Sequence, residues 1–195
     1  MHYAINQNRL SEATVHYFVE GKRSKFTART FATGLLSAFG HDPTIAIPDF
    51  DGDALINPSA IEESTLRIVI HAASLGVTDD VSDKDRAEIN RKMHDEVLES
   101  GGYSEIVYEC SKLSASKTGE GQYWVALNGA LSLHGVTRTQ PVSARVTVNG
   151  DTLHAVGEFS VLQSDYDIKP VSAAGGTVRL KDEIKLTFDI TARKA

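Results

Sequence analysis

The chain is 195 residues long, 41% hydrophobic and 24% charged, with 26 acidic and 20 basic side chains giving a formal charge of −6. These values fit one folded domain with its own core and exclude collagen, a coiled coil and a disordered tail as the main theme. The acidic balance argues against a general nucleic-acid binder, because phosphate contacts need concentrated Lys and Arg. The single cysteine, Cys110, excludes an intrachain disulfide and a cysteine-built zinc site.

No stretch approaches the about 20 apolar residues of a membrane helix. Residues 1–10 lack the apolar run and cleavage pattern of a signal peptide, so a cytoplasmic, reducing location is expected. Residues 24–31 alternate imperfectly and read as a first strand. Residues 34–40 fit one or two helical turns between glycines, and 44–47 and 53–57 are short strands stopped by Pro48 and Pro58. In 66–71, Leu66, Ile68 and Ile70 share one face.

Residues 82–98 make the one good helix. Ser82 caps it with Asp85 three residues on, Asp83 and Asp85 suit the positive end of the dipole, and Gly101-Gly102 is expected to stop it. Ile89, Met93 and Val97 form a narrow apolar stripe, which predicts a helix laid over one opening or one side of a sheet.

Strand patterns dominate the remainder. Ile106, Tyr108 and Cys110 alternate with charged or apolar neighbours, and 123–134 alternate over a long span with Gly129 as a bend or bulge. Ala144, Val146 and Val148 share a face ahead of Asn149-Gly150-Asp151, the strongest hairpin signal in the chain. Leu153, Ala155, Gly157, Phe159 and Val161 share the next face. A short strand at 177–180 leads through Lys181-Asp182 to a last strand at 183–191, where Ile184, Leu186, Phe188 and Ile190 face together. The chain therefore reads as all-β with one helical insertion. About eight antiparallel strands make either a sandwich or a closed barrel, and long continuous strands favour the barrel.

No phosphate-loop, dinucleotide, zincin or nucleophile-elbow motif is present. The histidines (His2, His16, His41, His71, His94, His134 and His154) never pair at short spacing. His41, His71 and His134 are the best placed for a metal, although a neutral histidine closing a hydrogen bond at a rim is the commoner role. Asp83, Asp85 and Glu88 read as capping charges, Asp165-Tyr166-Asp167 as a plain loop in preference to a cleft lining, and Cys110 as a buried thiol. Lys22, Arg23, Lys25 and Arg29 form a solvated face in preference to an anion stripe. Arg86 is placed to tie the helix to the sheet through its fork of donors. Phe31, Leu35, Leu36, Phe39, Leu127, Leu131, Val146, Phe159, Ile184, Leu186 and Phe188 either fill a core or line a pocket.

The segment from Leu127 through Gly129, Leu131, Leu133-His134-Gly135-Val136-Thr137 to Arg138, continued by Pro141-Val142, resembles the signature of the YceI-like family. Asp85-Arg86, Tyr103 to Tyr108, and Ser164-Asp165-Tyr166-Asp167-Ile168 follow the family's order, and Leu35-Leu36-Ser37 with Phe39-Gly40-His41 matches one of its branches. Ser104 stands where the family usually has Pro, and Asp167 where it usually has Gly.

The resemblance implies an extended, lipocalin-like antiparallel barrel of eight strands, set here at 19–195, with 1–18 as an N-terminal extension of unassigned structure. It also implies a homodimer, no catalytic residue, no metal and no resident cofactor. The partner would be an amphiphile with a long apolar tail, an isoprenoid lipid or quinone, bound for transport or storage. Phe31, Leu35, Phe39, Leu127, Leu131, Phe159, Leu186 and Phe188 are the expected apolar lining. His41, Arg86, His134 and Tyr166 are expected at the mouth, with Met93 as an adaptable gate. A solid-core interaction module, a small hydrolase or isomerase, and a metal-dependent stress protein are the alternatives.

Overall fold

Inward Leu, Val, Ala and Phe side chains alternate with outward polar ones along the longest strands, and the chain closes that two-faced sheet on itself. The computed structural model describes residues 14–33, 42–58, 60–173 and 178–195. In chain order its strands begin with β1 (Val15–Val19), β2 (Lys25–Arg29), β3 (Ala32–Thr33), β4 (Thr44–Ala46), β5 (Phe50–Ile56), β6 (Thr65–His71) and β7 (Gly76–Val77). The helix α1 (Asp83–Lys92) precedes β8 (Glu105–Cys110), β9 (Leu113–Gly119), β10 (Gln122–Leu133), β11 (Val136–Asn149) and β12 (Thr152–Leu162). The chain finishes with β13 (Ser172–Ala173), β14 (Val178–Leu180) and β15 (Glu183–Lys194).

The ring runs β1-β5-β6-β8-β10-β11-β12-β15, and β15 pairs back to β1 with Phe18 opposite Arg193. It is an eight-stranded antiparallel barrel, closed so that its strands have no free edge. Two of its walls are shared end to end. β15 pairs with β1 near its C-terminus and with β2 near its start, where Phe26 lies opposite Phe188. β10 likewise pairs with β9 through residues 122–127 and with β8 through 130–132. β2 carries β4 and β7 outward, toward the helix.

Several expectations are met with a shift. β1 starts at Val15, so part of the segment set apart as 1–18 belongs to the barrel wall. Gly129 makes no bulge, since the β10–β11 register runs unbroken past it. The hairpin after β11 forms, but Asn149 stays in the ladder opposite Thr152, and Gly150 alone of the turn takes positive φ. β14 does not pair with β15; it lies in a separate small sheet between β13 and β3. Residues 34–41, with the helical turns expected there, lie outside the described residues.

The helix starts as read. Ser82 Oγ accepts from the Asp85 N–H at 3.1 Å and lies 2.7 Å from its carboxylate. Arg86 gives its fork to the Val77 and Asp79 carbonyls at 2.7 and 2.9 Å, and Asn90 Oδ1 accepts from the Val77 N–H. These bonds tie α1 to β7 and so to the barrel. A π turn (Met93–Val97) follows, and the stop is Glu99 at φ 45°, not Gly101-Gly102.

Asp167 closes the short turn after β12 at φ 56°. An aspartate there bears strain that glycine does not. Asp167→Gly is expected to raise stability by about 0.5–1 kcal/mol, read as a melting temperature higher by roughly 2–3 °C; a fall in melting temperature would contradict this.

Candidate functional site: an apolar channel

The inward faces enclose a cavity of about 690 Å³, within the usual range of small-molecule sites. It runs along the barrel from Val15, Ile56, Tyr123 and Leu153 at one end to Leu133, Ile168, Val171 and Leu180 at the other. The sequence keeps it hollow. At mid-barrel, Ala144 lies opposite Gly157, which in turn lies opposite Phe188. Gly157 is held to a hydrogen because a Cβ there would meet the Phe188 ring at 2.5 Å. Ala28, Ala144 and Ala155 add little bulk to the lumen. Leu127, Val146, Phe159 and Leu186 therefore remain only partly buried although they point inward.

α1 and its π turn cover one side. Ile89, Met93 and Val97, the stripe read in the sequence, all face the lumen, and Met93 is buried. Glu88 and Lys92 border it from the same helix, 3.7 Å apart. The Arg91 guanidinium beside Glu88 holds its carboxyl below the usual range. The buried polar residues Thr30, Ser64 and Gln163 also lie on the channel wall. Ser64 Oγ accepts from the Asn57 N–H, and Gln163 Nε2 donates to the carbonyls of Lys181 and Asp182.

Tyr108 is a further polar feature of the wall. Its hydroxyl accepts from the Gly129 N–H at 3.1 Å and donates to the Gln140 carbonyl at 3.0 Å. Burial, then the neighbouring Cys110, pushes its pKa from 10.0 up to about 12. The neutral form is thus favoured in the fold. Stability is complete below pH 10, where the unfolded tyrosine starts to ionise, and is lost progressively as pH rises toward 12. Tyr108 contributes up to about 2 kcal/mol of that loss. Tyr17 and Tyr166 are also shifted upward, by burial and by nearby Asp151 and Asp165. Tyr108→Phe should therefore shallow the alkaline limb of a stability–pH curve without abolishing it. An unchanged limb would contradict this assignment.

Of the residues read as apolar lining, Leu127, Leu131, Phe159, Leu186 and Phe188 border the lumen. Phe31 does not; the inward parity of β2 passes through Phe26, Ala28 and Thr30, leaving Phe31 between the cations of Arg29 and Lys181 at 5.8 and 5.6 Å. Leu35, Leu36, Phe39 and His41 lie outside the described residues.

The expected mouth residues divide differently. Arg86 is occupied by the carbonyls beyond β7 and does not border the lumen. His134 takes φ 50° and with Gly135 at φ 75° forms the tight β10–β11 turn; its ring rests 4.4 Å from that of Tyr103, and Nδ1 pairs with the Tyr166 carbonyl. Tyr166, 2% exposed, packs with Leu131, Val161 and Ile168, which themselves border the lumen. These three side chains brace the channel instead of lining it.

Chemistry of other kinds finds little support from the placement of its candidates. His16, His71 and His154 pair with Asp53, Asp51 and Asp189, and no group of three or more His, Cys, Asp or Glu among the described residues is placed to hold a metal. Cys110 is buried with Sγ toward the Lys112 carbonyl. Arg23 and Arg29 are exposed and paired with Glu20 and Asp42.

A YceI-like domain model matches residues 13–192. Among solved structures, the chain is similar to BcnA of Burkholderia cenocepacia, with a TM-score of 0.66, 19% identity, and 89% of this chain and 98% of that one covered. It is similar to a polyisoprenoid binding domain from Saccharophagus degradans, with a TM-score of 0.65 and 12% identity over 94% of this chain and 100% of the other. The Campylobacter jejuni YceI protein aligns at a TM-score of 0.57 and 16% identity over 77% and 84% of the two chains. No curated protein matches the sequence. At these identities the structural likenesses speak for the fold.

Proposed function

The chain belongs to the YceI-like family, and on that premise we propose that its channel binds one isoprenoid lipid, tail inward, as a carrier or store. The family is one of binding proteins and not of enzymes. The observation that carries the reading is the channel itself: about 690 Å³, lined along its length by aliphatic and aromatic side chains and bordered by few polar ones. A tail entering such a space leaves water at about 0.8 kcal/mol per CH₂, so tight binding needs little polar recognition. The Saccharophagus domain, described as polyisoprenoid-binding, has the same fold. The competing reading, a solid-core interaction module, is disfavoured by the small side chains of Ala28, Ala144 and Ala155 facing the lumen.

Native mass spectrometry of the purified protein, followed by solvent extraction, tests the proposal. A stoichiometric adduct that releases an isoprenoid is the expected result, and the same spectrum reports the oligomeric state. A protein that is clean, and stays clean after incubation with prenols and quinones, would overturn it.

A further inference from the structure

We propose that the channel selects an isoprenoid whose head carries a hydrogen-bond-donating hydroxyl, received by Gln163 Oε1; this rests on the channel reading above. Gln163 extends the inward parity of β12, following Leu153, Ala155, Gly157, Phe159 and Val161 by one further step. It is 5% exposed and lines the channel. Both hydrogens of Nε2 are committed, to the Lys181 carbonyl at 2.9 Å and the Asp182 carbonyl at 3.3 Å. Those two bonds fix which end of the amide is which, since the reverse assignment would set Oε1 against two carbonyl oxygens.

Oε1 is then an acceptor without a hydrogen bond among the described residues, on a side chain that borders the lumen. An acceptor on an apolar wall gains a hydrogen bond from any donor that reaches it. A hydroxyl satisfies it. A quinone carbonyl or a phosphate oxygen brings a second acceptor against it.

Charge points the same way. The charged side chains on the channel wall, among the described residues, are Glu88 and Lys92, 3.7 Å apart, with Glu88 also held by Arg91 at 2.9 Å. Of the two arginines on that helix, Arg86 has its guanidinium bound to two carbonyls and Arg91 is paired with Glu88 at 2.9 Å. An anionic head would meet Lys92 only beside the Glu88 carboxylate that already pairs with it. Tyr108, another polar group of the wall, already both donates and accepts.

The test uses the full chain stripped of lipid by solvent and titrated calorimetrically with geranylgeraniol, its methyl ether and geranylgeranyl phosphate. The tail is constant, so only the head differs. The alcohol is expected to bind about tenfold more tightly than the ether, with the phosphate weakest. In a folded Gln163→Leu variant the alcohol-to-ether preference should fall to about one. Because that variant also loses two bonds to the β14–β15 turn, the ligand series on the unaltered protein decides the matter. Equal affinity for alcohol and ether, or tightest binding of the phosphate, overturns the head-group assignment while leaving the channel reading intact. Binding of none of the three overturns the channel reading, and this proposal with it.

Discussion

Leu131→Arg is expected to abolish isoprenoid uptake by the folded protein. Leu131 is 6% exposed, faces the lumen from β10 and packs with Val161, Tyr166 and Ile168. It lies two residues from the strand end at Leu133, so an arginine stem can run along the wall and carry its charge toward that end of the barrel. That stem occupies the tail's path, and any guanidinium kept inside loses hydration against an apolar wall. Affinity for a long prenol should fall at least about 100-fold, or roughly 3 kcal/mol. A second variant separates blocking from misfolding. Ala155→Phe adds apolar bulk to the lumen without charge and should weaken long tails about tenfold. Undiminished uptake by either folded variant would mean that these positions do not line the binding path.

Gly129→Ala should destabilise the barrel strongly. A Cβ there would sit 2.4 Å from the Tyr108 ring, 2.6 Å from its hydroxyl and 2.6 Å from the Glu109 carbonyl oxygen. A ring can rotate, but the Glu109 carbonyl is backbone of β8, where Glu109 pairs with Ala130. Relief therefore requires β8 to part from β10. The expected cost is about 2–4 kcal/mol, read as a melting temperature lower by roughly 5–10 °C. In a Tyr108→Ala background the same substitution should cost less than in the parent but still destabilise, because the backbone clash remains. A single variant as stable as the parent would contradict the close approach.

Local patterns carried much of this molecule. The alternation of β10, β11, β12 and β15 needs only neighbouring residues to read, and it placed Leu127, Leu131, Phe159, Leu186 and Phe188 on the inner face. The Ser82 cap and the Ile89, Met93, Val97 stripe were equally local. Closure was not, since Phe18 meets Arg193 across nearly the whole chain, and β1 with its inward Tyr17 was set apart from the barrel. Phe31 misled because the inward parity of β2 ends at Thr30. His134 looked like a polar group at a strand end, whereas His134-Gly135 is itself the tight turn. Gln163 was overlooked, although its signal was present: it continues an unbroken inward parity from Leu153, and a polar residue in that phase must face the lumen. Glu88 reads in the sequence as a capping charge, because the side of α1 that meets the channel is set by Arg86 and Asn90 bonding to β7.

The measurement closest to the central claim is a calorimetric titration of the stripped protein with geraniol, farnesol and geranylgeraniol, which share a head and differ by one isoprene unit at each step. A tail buried in the apolar channel predicts an affinity gain of at least about tenfold per added unit until the channel is filled. Equal affinity across the series would place the tail outside the barrel and contradict the account.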